Sequence, residues 1–185
     1  MRLGAINMVA PNCMLFFKTS NYYYLTAMSI DTNVRLSEHF CLREFLVSAT
    51  AQKHHIPNVP LKCHITALTN LCVHCLEPIR RQLGLPIQVT SGYRCPMLNT
   101  LVGGVETSQH LRGEAADITI PLRHRPFAHI THEQTARLLM NYARQYADFD
   151  QLILEHSATT WWLHISCRIN RRKNRHQVII NLEKK

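Results

Sequence analysis

No apolar run in this 185-residue chain reaches the roughly 18 residues that a bilayer-spanning helix requires, so no helical membrane segment is expected. Internal repeats and low-complexity stretches are also missing, which sets aside solenoids and other repeat architectures. The seven cysteines are odd in number and lack the spacing of a disulfide framework. They read as reduced thiols from a reducing compartment. Acidic residues are scarce, 12 against 21 Lys and Arg, leaving a net charge of +9 with the 12 histidines neutral. That balance favours anionic partners: nucleic acid, acidic wall polymers or a membrane surface. Arg168, Arg171, Arg172, Lys173 and Arg175 concentrate the charge near the end, where a solvated terminal stretch is the plain reading.

What remains is ordinary for a globular protein, 46% hydrophobic and 18% charged residues, and the length suits one domain with a real core. The opening "MRLGAINMVAPNCMLFF" faintly resembles a signal peptide. Asn7, Pro11 and Asn12 interrupt its apolar part, and no small-residue cleavage site follows. Residues 1–27 are therefore expected to be a disordered extension or an upstream start. Residues 28–185 would form a single domain with a basic C-terminal tail, made as a soluble cytoplasmic protein.

Pattern along the chain predicts helices first and strands later. "LREFLVSATAQKHH", from Leu42 to about His54, reads as a short helix stopped before Pro57. From about Ile65 to Leu83, Ile65, Leu68, Leu71, Cys72, Cys75, Leu76, Ile79 and Leu83 recur at three and four. They form the stripe of one amphipathic helix ended by Gly84 and Pro86. "CVHC" lies on that stripe, where its cysteines read as small core hydrophobes rather than zinc ligands. "IQVTSGY" reads as a strand, "MLNTLV" as a helical turn closed by Gly103 and Gly104, and "AADITI" as a second strand. "PLRHRPFAHI" reads as a basic loop. Thr131 and Gln134 resemble a capping box opening the helix "HEQTARLLMNYARQY". "FDQLILE", "WWLHISC" and "HQVIINL" complete the strands. Without regular βαβ alternation, the class is α+β with a mostly antiparallel sheet and helices packed on it.

The stretch "SQHLRGEAADI" places His110 and Asp117 seven residues apart, with small or flexible residues between. A catalytic zinc site needs three protein ligands and one open position. Gly113 permits a reversal that brings His110 toward Asp117, and Ala115 and Ala116 allow close backbone packing. The third candidate is His164, which strand alternation puts on one face with Trp162 and Ser166. On its own His164 reads first as a hydrogen-bonded core histidine, and the pair His110 and Asp117 fits many surface loops.

The whole phrase "TSGYRCPMLNTLVGGVETSQHLRGEAADI" resembles the signature of the zinc D-Ala-D-Ala carboxypeptidase family. These are peptidoglycan peptidases sharing their fold with the Hedgehog signalling domain. Its S-x-H-x-x-G-x-A-x-D is met at Ser108, His110, Gly113, Ala115 and Asp117, and its later W-x-H at Trp162 and His164. "LSEHFCLREFLVSATA" and "FDQLILE" are similar to the branch found in bacteria and their phages, and the likeness runs from about Leu36 to Val178. The resemblance implies a Hedgehog/DD-peptidase-like fold and one zinc ion per chain, held by His110, Asp117 and His164. Arg94 would bind substrate or stabilise charge, with Ser108 and Trp162 also on the substrate side. A guanidinium can hold a carboxylate by paired hydrogen bonds or neutralise a forming oxyanion, which suits that role.

Peptide hydrolysis also needs a group that takes a proton from the attacking water and passes it to the leaving amine. Some relatives place a glutamate three residues before the last histidine, but here that position is Trp161. The preferred base is Glu155, at the end of "FDQLILE", with His156 and Glu114 as fallbacks. The expected substrate is the peptide of the bacterial cell wall. It would be trimmed by a carboxypeptidase or cut internally by an endolysin-like endopeptidase, acting at the wall if exported or released. The basic tail would hold anionic wall polymers. A non-catalytic, metal-containing wall-binding module of the same fold is the alternative, motivated by Trp161. A nucleic-acid binder built on "RINRRKNRH" ranks last, because no recognised DNA-binding motif or stacking-aromatic pattern accompanies it.

Overall fold

The alternating runs of the second half come together as the middle of one sheet. The computed structural model describes residues 30–124 and 130–180. The expected extension 1–27, residues 125–129 of the basic loop and residues 181–185 at the end of the last strand lie outside the described residues. The chain divides into Met1–Asp31 and Thr32–Lys185, and the second unit carries the whole sheet.

Among the described residues, five strands, β1 (Gln88–Ser91), β2 (Ala115–Thr119), β3 (Gln151–His156), β4 (Trp161–Ser166) and β5 (Gln177–Ile180), lie in the order β1-β2-β4-β3-β5. Three pairings are antiparallel, and β5 pairs with β3 in parallel. The architecture is thus α+β with a mixed but mostly antiparallel sheet, as expected. Period-two alternation explains its two faces. Leu152, Leu154, Leu163, Ile165 and Ile118 are fully buried on one face. Side chains of this kind contribute ~1.5–3 kcal/mol each when fully removed from water. The helix α5 (His132–Tyr146) packs against this sheet and brings buried Ala136, Leu139, Met140 and Ala143. The other face presents Asp117, His164, Trp162, Ile153 and Glu155 to a cleft.

The α5 boundaries coincide with the expected ones, and Thr131 caps it as a reciprocal box. Its hydroxyl oxygen accepts from the Gln134 amide at 3.1 Å while Gln134 Oε1 accepts from the Thr131 amide at 2.8 Å. Two expectations for the first half need correction. The segment from Leu42 to His54 is not one helix but a 3₁₀ turn, Leu42–Phe45, followed by α1 (Ala49–Lys53). Ser48 makes the break: its hydroxyl accepts from the Ala51 amide at 3.2 Å, a local bond that competes with helix continuation. The long amphipathic stretch starts earlier than Ile65 and is interrupted. α2 (Lys62–Leu71) and α3 (Glu77–Leu83) are joined by a π turn over Cys72–Leu76. Pro78 lacks the amide that would bond the His74 carbonyl, and the Asp148 amide supplies that bond instead at 3.0 Å. Gly84, in the left-handed region at φ 66°, ends the helix as expected. Cys72 and Cys75 are fully buried in this helix, and burial pushes the Cys72 thiol above its ordinary range.

The basic run near the end is folded into the sheet's edge. Arg171 pairs with Asp148 at 2.8 Å, while Arg168 and Arg175 both pair with the fully buried Asp150. Arg172 and Lys173 are exposed.

Candidate metal centre

β2 and β4 pair with Asp117 directly opposite His164, a register that sets their Cβ atoms ~4.5–5.5 Å apart. His110 reaches the same point from a 3₁₀ turn, Gln109–Arg112, outside the sheet. Two residues shape that turn. The Ser108 hydroxyl accepts from the His110 amide at 3.3 Å, and Gly113 closes the turn at φ 69°. A Cβ at Gly113 would stand 2.5 Å from the His64 carbonyl oxygen, so both the conformation and the space demand glycine.

Three donor atoms then converge. His164 Nδ1 lies 3.0 Å from Asp117 Oδ1, His110 Nε2 lies 3.3 Å from the same oxygen, and the two imidazole nitrogens are 3.2 Å apart. Ligands ~2.0–2.2 Å from a tetrahedral zinc are separated from one another by about 3.3–3.5 Å, so the triangle is within a few tenths of an ångström of the size required. All three residues are buried, between 3% and 8% exposed. His110 Nδ1 is 2.6 Å from the Gly92 carbonyl. That oxygen only accepts, so Nδ1 carries the hydrogen and Nε2 turns its lone pair toward the other two donors.

Electrostatics agree with a ligand set. Burial holds the His110 pKa below its ordinary value, against the pull of Asp117. Burial alone would raise the Asp117 pKa, but the neighbouring imidazoles outweigh it and hold the carboxyl well below the usual carboxylate range. Both directions favour the forms that bind a metal, a neutral imidazole and an ionised carboxylate.

Arg94 also stands at this centre. Its Nη2 donates to Asp117 Oδ2 at 2.6 Å, its Nε to the Ser91 hydroxyl at 2.9 Å, and its amide to the His110 carbonyl at 3.2 Å. The two oxygens of Asp117 therefore divide their work, Oδ1 toward the imidazoles and Oδ2 toward the guanidinium. Ser108 and Trp162, the other expected substrate residues, line the same cleft, whose volume is about 830 Å³.

Glu155 lies on β3 opposite Trp162, next to the pairing of Ile153 with His164. Its carboxylate accepts from Trp162 Nε1 at 2.9 Å, and its side chain lines the cleft that holds the three donors. It does not belong to the mutually close donor set, which is His110, Asp117 and His164. The fallback bases are placed less favourably. His156 is buried and stacked on Trp161, ring centroids 4.3 Å apart. Glu114 accepts from Arg112 Nε at 2.8 Å and from the Ile169 amide at 3.2 Å.

Gly92 is a contributor that residue-type reasoning passed over. Its carbonyl orients His110, and a Cβ on it would sit 2.5 Å from Phe45 backbone atoms. A lone glycine at a strand end was the available signal, since it marks a close backbone approach.

A family model described as Peptidase M15 matches residues 38–165, well over half of the chain. The chain belongs to the Peptidase M15 family. This is the zinc D-Ala-D-Ala carboxypeptidase-type family, as the motif resemblance implied. The matched span of this M15 member contains the whole donor triangle together with Arg94 and Glu155. Among curated proteins, no match is found.

Proposed function

We propose that this chain is a zinc-dependent peptidase that hydrolyses peptide bonds in the stem peptides of bacterial peptidoglycan, on a Hedgehog/DD-peptidase-like fold. The observation that carries the reading is the buried triangle of His110 Nε2, Asp117 Oδ1 and His164 Nδ1, with edges of 3.0–3.3 Å, inside the span of the family match. These three residues would hold the ion. When bound, zinc would polarise the scissile carbonyl and lower the pKa of water toward ~7.

The remaining work falls to side chains of the cleft. Glu155, steadied by Trp162 Nε1, takes one proton from the water whose oxygen attacks the carbonyl carbon. It returns that proton to the amine nitrogen as the C–N bond breaks. Arg94 fixes the orientation of Asp117 through Oδ2, and its positive charge favours the negative charge that develops on the carbonyl oxygen. Ser108 holds the turn that carries His110 and lies at the cleft wall with Trp162, where the substrate backbone passes.

Among the described residues, cavities continue on both sides of Asp117, one toward Trp161 and Thr160, the other toward Arg168 and Arg175. Space on both sides of the centre would accommodate peptide on either side of the scissile bond, which favours internal cleavage over trimming of a terminal D-Ala alone. The exposed Arg172 and Lys173 would add a weak attraction for anionic wall polymers.

Digestion of purified peptidoglycan by zinc-loaded protein, with product mass spectrometry, tests the reading. New amino and carboxyl ends within stem peptides are expected. Intact stem peptides, with the ion bound and the protein retained on the wall material, would instead identify a non-catalytic binding module.

A further inference from the structure

The family match stops at residue 165, but the cleft runs on past it to Arg168 and Arg175. Both arginines converge on one carboxylate. Asp150, with no exposed surface, accepts from Arg168 Nε at 2.8 Å, and from Arg175 through its amide at 2.9 Å, Nε at 3.0 Å and Nη2 at 2.5 Å. We propose that Arg168 and Arg175 form a carboxylate-binding subsite that fixes the direction in which a peptide lies across the metal centre. The inference deepens the peptidase reading and rests on it.

Charge count distinguishes this pair from the other arginines of the cleft. Arg94 and Arg112 each face one carboxylate, Asp117 and Glu114. Here two guanidinium groups share one, leaving a net positive charge at the cleft wall. Their side chains are 34% and 45% exposed while Asp150 has none, so the anion lies beneath and the cations face the groove. Asp150 engages Arg168 by Nε alone. A guanidinium carries five donors in a planar fork suited to a carboxylate, and the two Nη groups of Arg168 extend beyond that bond. Anchoring on Asp150 also removes rotamer freedom in advance, so less is lost when a carboxylate binds.

The opposite arm of the groove has a different character. Among the described residues it is lined by Trp161, Trp162, Thr90, Thr119 and Thr160 next to Asp117, aromatic and hydroxyl groups with no cation among them. An acidic peptide therefore has one favourable direction. Arg168 follows His164 by four positions along the chain, at most ~13 Å at strand rise. The acidic group sits two to four residues from the scissile bond.

The test uses stem-peptide analogues with one side-chain carboxylate two, three or four residues from the scissile bond, each matched by its carboxamide. Zinc-loaded wild type, Arg168→Gln and Arg168→Lys are compared, with melting curves to verify folding. Arg168→Gln leaves the two-point grip of Arg175 on Asp150 in place. Both KM and kcat are measured, and equilibrium binding is followed by tryptophan fluorescence, which needs no turnover. The wild type is expected to favour one carboxylate position about tenfold or more in KM and in Kd, with kcat within about twofold. Arg168→Gln abolishes the preference and Arg168→Lys restores part of it. Equal Kd for every matched pair in the wild type overturns the proposal, whether or not the variants fold. So does a preference that survives in a folded Arg168→Gln. If no peptide is cut yet the binding preference and its loss are seen, the peptidase reading fails and the subsite stands.

Discussion

Asp117 is the residue on which the centre turns, because each of its oxygens has a separate partner. Removing the Arg94 contact should loosen the carboxylate rather than delete a ligand. Outer partners of metal ligands are typically worth ~10–100-fold in affinity. Arg94→Ala is therefore expected to weaken zinc binding by about that factor in chelator competition, and to lower kcat besides. Unchanged zinc affinity would confine Arg94 to the substrate. Glu155→Gln keeps the hydrogen-bond partner for Trp162 but cannot carry a proton. It should retain its zinc and lose ~10²–10⁴-fold in kcat, the usual contribution of a positioned acid–base group. Full turnover with metal retained would show that another group serves as base. At this scale the side-chain types of His110, Asp117, His164 and Arg94 were enough to single out residues that meet at one point. The sequence was silent at Gly92, whose contribution is a backbone carbonyl, and incomplete at Ser108, whose hydroxyl caps the turn carrying His110.

Among elements, the turn that lifts His110 toward the sheet depends on a glycine in a left-handed conformation. Gly113→Ala should cost roughly 1–3 kcal/mol from the strained backbone, with further loss from the contact at the His64 carbonyl. A lower Tm together with weaker zinc binding is the expected pair of readings. The start of β3 and the approach to β5 are joined by Asp150 and its two arginines. Burial acts to raise the Asp150 pKa, but hydrogen bonds from Arg175 and Arg168 overcome it and hold it far below the ordinary value. The unfolded chain therefore binds the proton more readily than the folded one. The stabilisation is fully present above pH ~4–5, where an unfolded aspartate is ionised, and is lost as pH falls toward the folded value. Asp150→Asn should cost ~1.5–3 kcal/mol at neutral pH, the loss of charge-assisted bonds to a buried acceptor whose arginine partners stay partly solvated. In melting curves from pH 6 to 2, the gap between wild type and variant should narrow on acidification; a constant gap would contradict the linkage. Strand alternation and the Thr131 capping box made β3, β4 and α5 legible. Pro78 and Ser48 interrupt the earlier helices through backbone bonds that apolar periodicity does not register. The parallel β5 depends on long-range pairing, which no local pattern encodes.

On the scale of the whole molecule, one sheet separates two tasks. Its inner face of Leu152, Leu154, Leu163 and Ile165 meets α5, while its outer face collects the polar groups of the cleft. The candidate metal centre bridges β2, β4 and the turn before β2, so an ion bound there would tie non-adjacent parts of the chain together. Binding to the folded state alone adds ~2.7 kcal/mol at a hundredfold excess over Kd. For a domain of this size each kcal/mol moves Tm by ~2–4 °C. Chelation should therefore lower Tm by about 5–11 °C and added zinc should restore it. The most direct measurement is the zinc content of the purified full chain after equilibrium dialysis, for wild type and for His110→Ala, Asp117→Ala and His164→Ala. One ion per wild-type chain, falling below about a tenth in each folded variant, is the predicted result. Equal zinc content in the wild type and all three variants would contradict it.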